Sequence, residues 1–239
     1  MRTSSVITLH TSNRFTVIGQ PLMIAGFSFS AVVIIGIIGN IVGSSSDVID
    51  IYNGMKWNGA IFALIGPLMG LGIGAMTQYF PLATGFGLTR KEFAGGTTIV
   101  FLATALAFAA FVTVGKVVES VTNGWWLHIR FFNVVYTGLG PAWQTLVQTF
   151  LIICLAMFIG ATLTTMVNRW GTITLWVFFA ALAVLSLVVI ALATINLEFH
   201  NWILGLLNAT WWQGMLTIAA LTIIAAASWL ALMRKAQVR

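Results

Sequence analysis

Six stretches of about 20 mostly apolar residues, the length that crosses the hydrocarbon core of a bilayer, leave this chain little freedom. They run Leu22 to Val42, Ala60 to Phe80, Thr97 to Val117, Leu146 to Met166, Thr172 to Thr194 and Gln213 to Met233. No connection between them is long enough to form a separate soluble domain; the longest covers residues 118–145. Apolar residues make up 59% of the chain and charged ones 7%, more apolar side chain than a water-soluble core can bury. The expected fold is all-α and integral to the membrane: a single transmembrane domain over residues 1–239 with six transmembrane helices. The first span follows about twenty residues that include Arg2 and Arg14. It is longer than the apolar core of a signal peptide and reads as a retained span.

Basic residues set the expected orientation, since Lys and Arg collect on the cytoplasmic side. Arg2, Arg14, Arg90, Lys91, Arg169, Arg234, Lys235 and Arg239 fall on one side, and Lys56, Lys116 and Arg130 on the other. Among the acids, Glu92 is on the first side, while Asp47, Asp50, Glu119 and Glu198 are on the second. The bias alternates through all six spans and predicts both termini inside, N-in and C-in, with residues 1–20 as a cytoplasmic lead-in. Trp57, Trp125, Trp126, Trp143, Trp202, Trp211 and Trp212 flank the outer span ends, and Trp170 and Trp229 lie toward the inner side. They read as interfacial belts. Residues 1–20 mix apolar residues with two arginines, a pattern open to an interfacial helix or to an unstructured tail. The aromatic outer connections, Glu119 to Trp143 and Leu197 to Trp212, are expected to cover the outer mouth or to anchor in the interface. Asn208-Ala209-Thr210 has the short spacing of a glycosylation acceptor.

Several kinds of chemistry are excluded by what is missing. The net charge is +6, but no basic run stands apart from the spans, so no nucleic-acid partner is expected. Nucleotide-cradling Gly-x-x-x-x-Gly-Lys-Ser/Thr is absent, as is metal-binding His-Glu-x-x-His. His10, His128 and His200 are isolated near span edges and read as solvated, and the single cysteine, Cys154, lies inside a span as a packing residue. No Asp, Glu, Lys or Arg occupies the middle of a span, where a proton relay would need one. Lys116 and Glu119, three residues apart at the outer end of the third span, read as a helix-surface pair. Asn40 is expected to bond a neighbouring helix. Gly66, Gly70 and Gly74 repeat at four-residue spacing in the second span, a helix-packing seam either within the chain or between subunits. Pro67, in the same span, predicts a kink.

The richest local signal lies between the second and third spans. Gly87 suits a left-handed stop to a short helix begun near Pro81. Thr89 and Glu92 have the spacing of a capping box, and Leu88 and Phe93 occupy the positions of a hydrophobic staple around it. Arg90-Lys91 stand beside this corner. A rigid, basic and partly apolar corner of this kind either transmits force to a soluble partner or simply sets topology.

The phrase from Phe80 through Pro81, Leu82, Ala83, Thr84, Gly85, Phe86, Gly87, Leu88, Thr89, Arg90, Lys91, Glu92 and Phe93 to Gly96 resembles the coupling-helix region of six-helix permease subunits of ABC exporters of the type V fold, actinobacterial members especially. Weaker similarities are His10 to Pro21, to that family's N-terminal segment, and Val167 to Gly171, to its second cytoplasmic turn. The chain departs from the pattern in having very apolar spans and no acidic residue in positions 1–20. The resemblance covers nearly the whole length. It implies a short coupling helix between helices 2 and 3, with Pro81, Leu82, Thr84, Phe86, Leu88, Thr89, Arg90, Lys91, Glu92 and Phe93 facing a partner ATPase subunit. It also implies a second permease subunit, either a copy or a paralogue. On this reading the chain is no enzyme and binds no cofactor, ATP and Mg belong to the partner, and the site is the bacterial plasma membrane, among membrane lipids. The cargo is expected to be hydrophobic or amphipathic and its route lined by the first, second and fifth spans. A non-transporting scaffold or sensor, or an ATP-independent facilitator, remains an alternative.

Overall fold

The computed structural model describes residues 2–207 and 210–234. Asn208 and Ala209 of the acceptor match, and Lys235 and Arg239 of the basic tail, lie outside the described residues. The described chain forms helices α1 (Arg2–Thr11), α2 (Gln20–Val42), α3 (Ser45–Gly54), α4 (Ile65–Gly74), α5 (Phe80–Gly85), α6 (Arg90–Val121), α7 (Ala142–Trp170), α8 (Ile173–Ile195), α9 (Leu197–Leu207) and α10 (Trp211–Met233), with no strand among the described residues. Six helical stretches are long and apolar enough to cross a membrane: Phe15–Val42, Ala60–Gly85, Arg90–Val121, Ala142–Trp170, Ile173–Ile195 and Trp211–Met233. The protein is therefore a multi-pass membrane protein. The first four stretches each run four or more residues beyond the predicted apolar windows, because helical backbone continues into polar turns past the hydrocarbon. The third begins at Arg90 rather than Thr97, and the fourth spans Ala142–Trp170 rather than Leu146 to Met166.

The second span is the irregular one. It enters as a 3-10 turn over Ala60–Leu64, becomes α4 at Ile65, loosens into a π turn over Ala75–Tyr79 and tightens again as α5. Pro67 sits in the first turn of α4, where its missing N–H removes a bond to the residue four before it and a tighter turn is tolerated. The residue range expected for a separate coupling helix is thus the last turns of the second span itself.

Helix α7 is the hub, packing against α4, α6 and α10. Against α4 the approach is close. A Cβ built on Gly72 would lie 2.1 Å from the Met157 carbonyl oxygen, and one on Gly160 would lie 2.5 Å from that of Met69. This is the small-residue seam that brings two backbones together in a bilayer. Gly66, Gly70 and Gly74 do not form it, because a Cβ at any of the three would meet nothing within 4 Å. They face an open groove shared with Thr16, Gln20 and Gln78. Toward the end where Arg90 and Arg234 meet, Trp229 is fully buried against Phe101 and Phe158, its indole N–H directed at Met76 Sδ at 3.4 Å. Trp229 is thus a core residue and not part of an interfacial belt. Helix α8 contrasts with α7: it packs chiefly on α7 and α9, and none of its side chains is buried.

At the opposite end, the segment joining α6 to α7 folds over the helix ends. Glu119, only 2% exposed, accepts hydrogen bonds from the backbone N–H groups of Phe131 (2.9 Å), Phe132 (2.9 Å) and Asn133 (3.0 Å) and from Trp125 Nε1 (3.1 Å). Lys116 Nζ donates to the carbonyls of Gly138 and Gly140 and to Thr145 Oγ1. The two residues expected to be a surface pair are both turned inward, each holding its own length of loop. Their charges are matched to loop dipoles, the condition under which a buried charge is tolerated. Asn40 donates to Gly36 O within its own helix and to Leu127 O of the same loop, both at 2.8 Å, so its partner is the cover and not a neighbouring span. Phe29, Trp125, Phe131 and Phe132 pack edge to face beneath it. Asn123, Trp125, Trp126 and His128 hold positive φ. This α6–α7 connection is a folded cover, tied from below by Lys116 and Glu119.

Candidate functional site

The corner between the second and third spans is built from two local stop-and-start signals. At the end of α5 the N–H of Gly87 bonds Thr84 O and that of Leu88 bonds Ala83 O, both at 3.0 Å. Gly87 is at φ +75°. Paired 5→2 and 6→1 bonds around a left-handed glycine form a Schellman stop. The helix cannot continue through a residue of that conformation, so α5 ends here. Three residues after Gly87, α6 starts at Arg90. Thr89 is extended at φ −74°, ψ 152°, and its hydroxyl accepts from Glu92 N at 3.2 Å. The Glu92 carboxylate in return accepts from Thr89 N at 2.8 Å and from Thr89 Oγ1 at 2.7 Å. The capping box read from the sequence is present with both halves formed.

The corner is held from inside as well. Phe93 is fully buried and packs on Phe80 with ring centroids 5.3 Å apart. Leu88 is half-buried against the same core. The N-terminal segment closes over this cluster as an ordered helix, α1, lying on α6. From α1, His10 is buried, bonded through Nε2 to Thr97 Oγ1 at 3.0 Å, and set against the rings of Tyr79 (4.6 Å) and Phe93 (5.9 Å). Burial pushes its imidazole down to about 4, so it sits there neutral. His10 therefore differs from its expected solvated state, because its neighbours offer it packing and one hydroxyl in place of water. The opposing helix that buries it is 87 positions away in the chain, and no local pattern reveals that contact.

These contacts divide the ten corner residues into two groups. Phe93, Leu88, Thr84 and Glu92 face inward or hold the turn: Thr84 Oγ1 donates to Phe80 O and Pro81 O, and Glu92 belongs to the cap. Pro81 is half-buried at the start of α5. Phe86 (77% exposed), Leu82, Arg90 and Lys91 face outward, and Thr89 is exposed with its hydroxyl engaged in the cap. The outward side is an apolar tip, Phe86 with Leu82, next to a cationic shoulder. Arg90 is steered by a 2.8 Å bond from Nη1 to the carbonyl of Arg234 at the end of α10. The corner thus ties the second, third and sixth spans together. Behind it, Asn168 Nδ2 donates to Met76 O at 3.2 Å, linking α7 to the π turn above the corner.

An exposed aromatic tip beside two cations offers a surface for binding. Among the described residues no three His, Cys, Asp or Glu side chains gather where a metal could sit. The residues that sequence reading missed are His10, Thr97 and Arg234. Each is brought to the corner by long-range packing. Compared with protein-family models, with curated proteins and with solved structures, the chain gives no match.

Proposed function

We propose that this chain is the membrane-spanning permease subunit of an ATP-driven exporter, working with a separate ATPase subunit that binds ATP and Mg. The observation that carries this reading is the rigid corner, a large exposed aromatic on a turn stiffened from both sides. Phe86 stands 77% exposed on a turn whose neighbours are locked by the Schellman stop and the capping box. A flexible loop would absorb a push from a soluble partner. A turn tied into the second, third and sixth spans passes it on to the helices. The corner lies on the side expected to be cytoplasmic, where an ATPase has access. In this proposal the last turns of the second span, with Phe86, Leu82, Arg90 and Lys91 outermost, take the place of a coupling helix.

The second membrane subunit, a copy or a paralogue, has room along α8, which buries no side chain and leaves most of its surface for lipid or for another helix. The spans present a nearly uncharged wall, which suits a hydrophobic or amphipathic cargo. Export from the bacterial plasma membrane, with both termini inside, is the orientation adopted here.

The test uses the full chain purified from its native membrane in mild detergent. A Walker-motif ATPase is expected to accompany it, with cargo-stimulated turnover. Phe86→Asp is expected to lower that stimulation by about 30-fold, the cost of losing an aromatic anchor at an interface, while the membrane subunits remain assembled. Unchanged stimulation in Phe86→Asp and Leu82→Asp together refutes docking at this corner. Cargo movement without any ATPase refutes the coupled reading.

A further inference from the structure

We propose that the cavity between the start of α6 and the end of α10 is a binding site for the phosphodiester headgroup of an anionic glycerophospholipid. Arg90, Lys91, Ala94, Leu230, Met233 and Arg234 line it, and its volume is about 480 Å³, within the span of ligand clefts. Three of the six described lining residues are cations and none of the six is acidic.

The three cations come from two helix ends far apart in the chain. The 2.8 Å bond from Arg90 to the Arg234 carbonyl holds those ends together, so the charges are gathered by the fold. That bond occupies Arg90 Nη1 on a backbone acceptor, while Lys91 and Arg234, which also line the cavity, are exposed. Arg90 and Lys91 are also the first two residues of α6, the positive end of a helix dipole, where cations are disfavoured. The capping box already supplies acceptors to that helix start, so the amides are not the attraction. Glu92, the next residue, is engaged in the cap with Thr89, and the described lining of the cavity carries three positive charges.

The other three walls are apolar. Ala94 and Met233 are buried, and Leu230 lies partly exposed along the last turn of the sixth span. A cationic mouth over an apolar wall, at the point where two spans leave the hydrocarbon, matches a lipid in both halves: phosphate at the mouth and acyl chain along Leu230. Basic pockets between transmembrane helices recognise anionic headgroups in this way. A free anion would use only the mouth, and an acidic protein would have no use for a wall at bilayer depth.

This inference does not rest on the transport reading and is tested without an ATPase. The purified chain is placed in nanodiscs of mixed phosphatidylglycerol and phosphatidylcholine, and the lipids retained on extraction into detergent are counted by native mass spectrometry. Phosphatidylglycerol is expected to be retained about tenfold over its share, from roughly a factor of five per cation at a membrane surface discounted for screening. The Lys91→Gln/Arg234→Gln double variant is expected to bring retention down to that of phosphatidylcholine. Arg169→Gln, a cation on another turn at the same end, is expected to leave the preference in place. Both single variants, Lys91→Gln and Arg234→Gln, change exposed side chains and serve if the double variant does not fold. An undiminished preference in the variants overturns the proposal. So does an equal loss in Arg169→Gln, which would mean diffuse charge attraction. Displacement of the lipid by millimolar inorganic phosphate overturns it in favour of a free-anion site. Loss of an accompanying acidic protein with lipid retention unchanged overturns it in favour of protein docking.

Discussion

Replacing Gly72 by Ala adds one methyl group at the closest approach of a glycine to another helix's backbone among the described residues. That carbon would sit 2.1 Å from Met157 O and 3.0 Å from Ala161 N. These obstacles are backbone, so no rotamer change relieves them, and α4 and α7 must part by about 1 Å to restore ordinary contact. A gap of that size forfeits about a quarter to a half of each dispersion contact across it. A buried Leu makes about 40–60 such contacts, each worth about 0.1 kcal/mol. For the large side chains Leu68, Leu71 and Met157, with about half of those contacts crossing the seam, the loss sums to about 2–4 kcal/mol. The gain in helix propensity from Gly to Ala returns about 1 kcal/mol, leaving a net destabilisation of about 1–3 kcal/mol. Gly70→Ala, two residues away with nothing within 4 Å, has the same propensity gain and no cost. It is expected to be neutral or to stabilise by up to about 1 kcal/mol. Unfolding in mixed micelles at increasing sodium dodecyl sulfate, followed by tryptophan fluorescence, measures both, with buried Trp229 as an internal reporter. The reasoning is refuted if Gly72→Ala matches the parent protein. It is equally refuted if Gly70→Ala costs as much as Gly72→Ala, for then another helix lies on the face of Gly66, Gly70 and Gly74.

Three other changes follow from single contacts. Glu119→Ala leaves three backbone N–H groups and an indole N–H without their acceptor. At about 1 kcal/mol or more for each buried orphan, a loss above about 3 kcal/mol is expected. Protease cleavage within residues 124–133 should rise sharply, with Glu119→Gln intermediate because its amide keeps one acceptor oxygen. Gly87→Ala meets no steric obstacle but must hold φ +75°, which costs an L-residue about 1 kcal/mol. Gly87→Asn should cost less, and hydrogen exchange at Leu88 and Thr89 reads the difference. His10 is depressed from 6.5 to about 4 by burial, and Tyr79, Phe93 and Thr97, which face it, carry no charge. The undocked helix binds the proton more readily, so docking of α1 is at full strength above about pH 6.5 and weakens as pH falls toward 4. At pH 5 the loss is about 2 kcal/mol. Exchange of the α1 amides should accelerate between pH 7 and 5, after correction for intrinsic rates, and His10→Phe should abolish that dependence.

Short-range rules made part of this protein legible from residues alone. The six membrane-crossing helices follow from the length of each apolar run, because a bilayer asks only that the backbone satisfy itself over about 20 residues. The Schellman stop at Gly87 and the capping box from Thr89 to Glu92 were equally readable, since all their partners lie within six positions of one another. Helix faces could not be read in this way. A bilayer solvates both sides of an apolar helix, so the pattern that marks an inner face in a water-soluble protein is weak here, and several assignments that depended on faces moved. The close seam uses Gly72 and Gly160 instead of the regular Gly66, Gly70 and Gly74, and Trp229 lies in the core instead of the interface. Lys116 and Glu119 turn inward to hold a loop, and His10 docks on a residue 87 positions away. Each of these depends on which helices meet and at what distance, a matter of van der Waals packing and buried polar partners summed over the whole bundle, and the tertiary structure alone decided it.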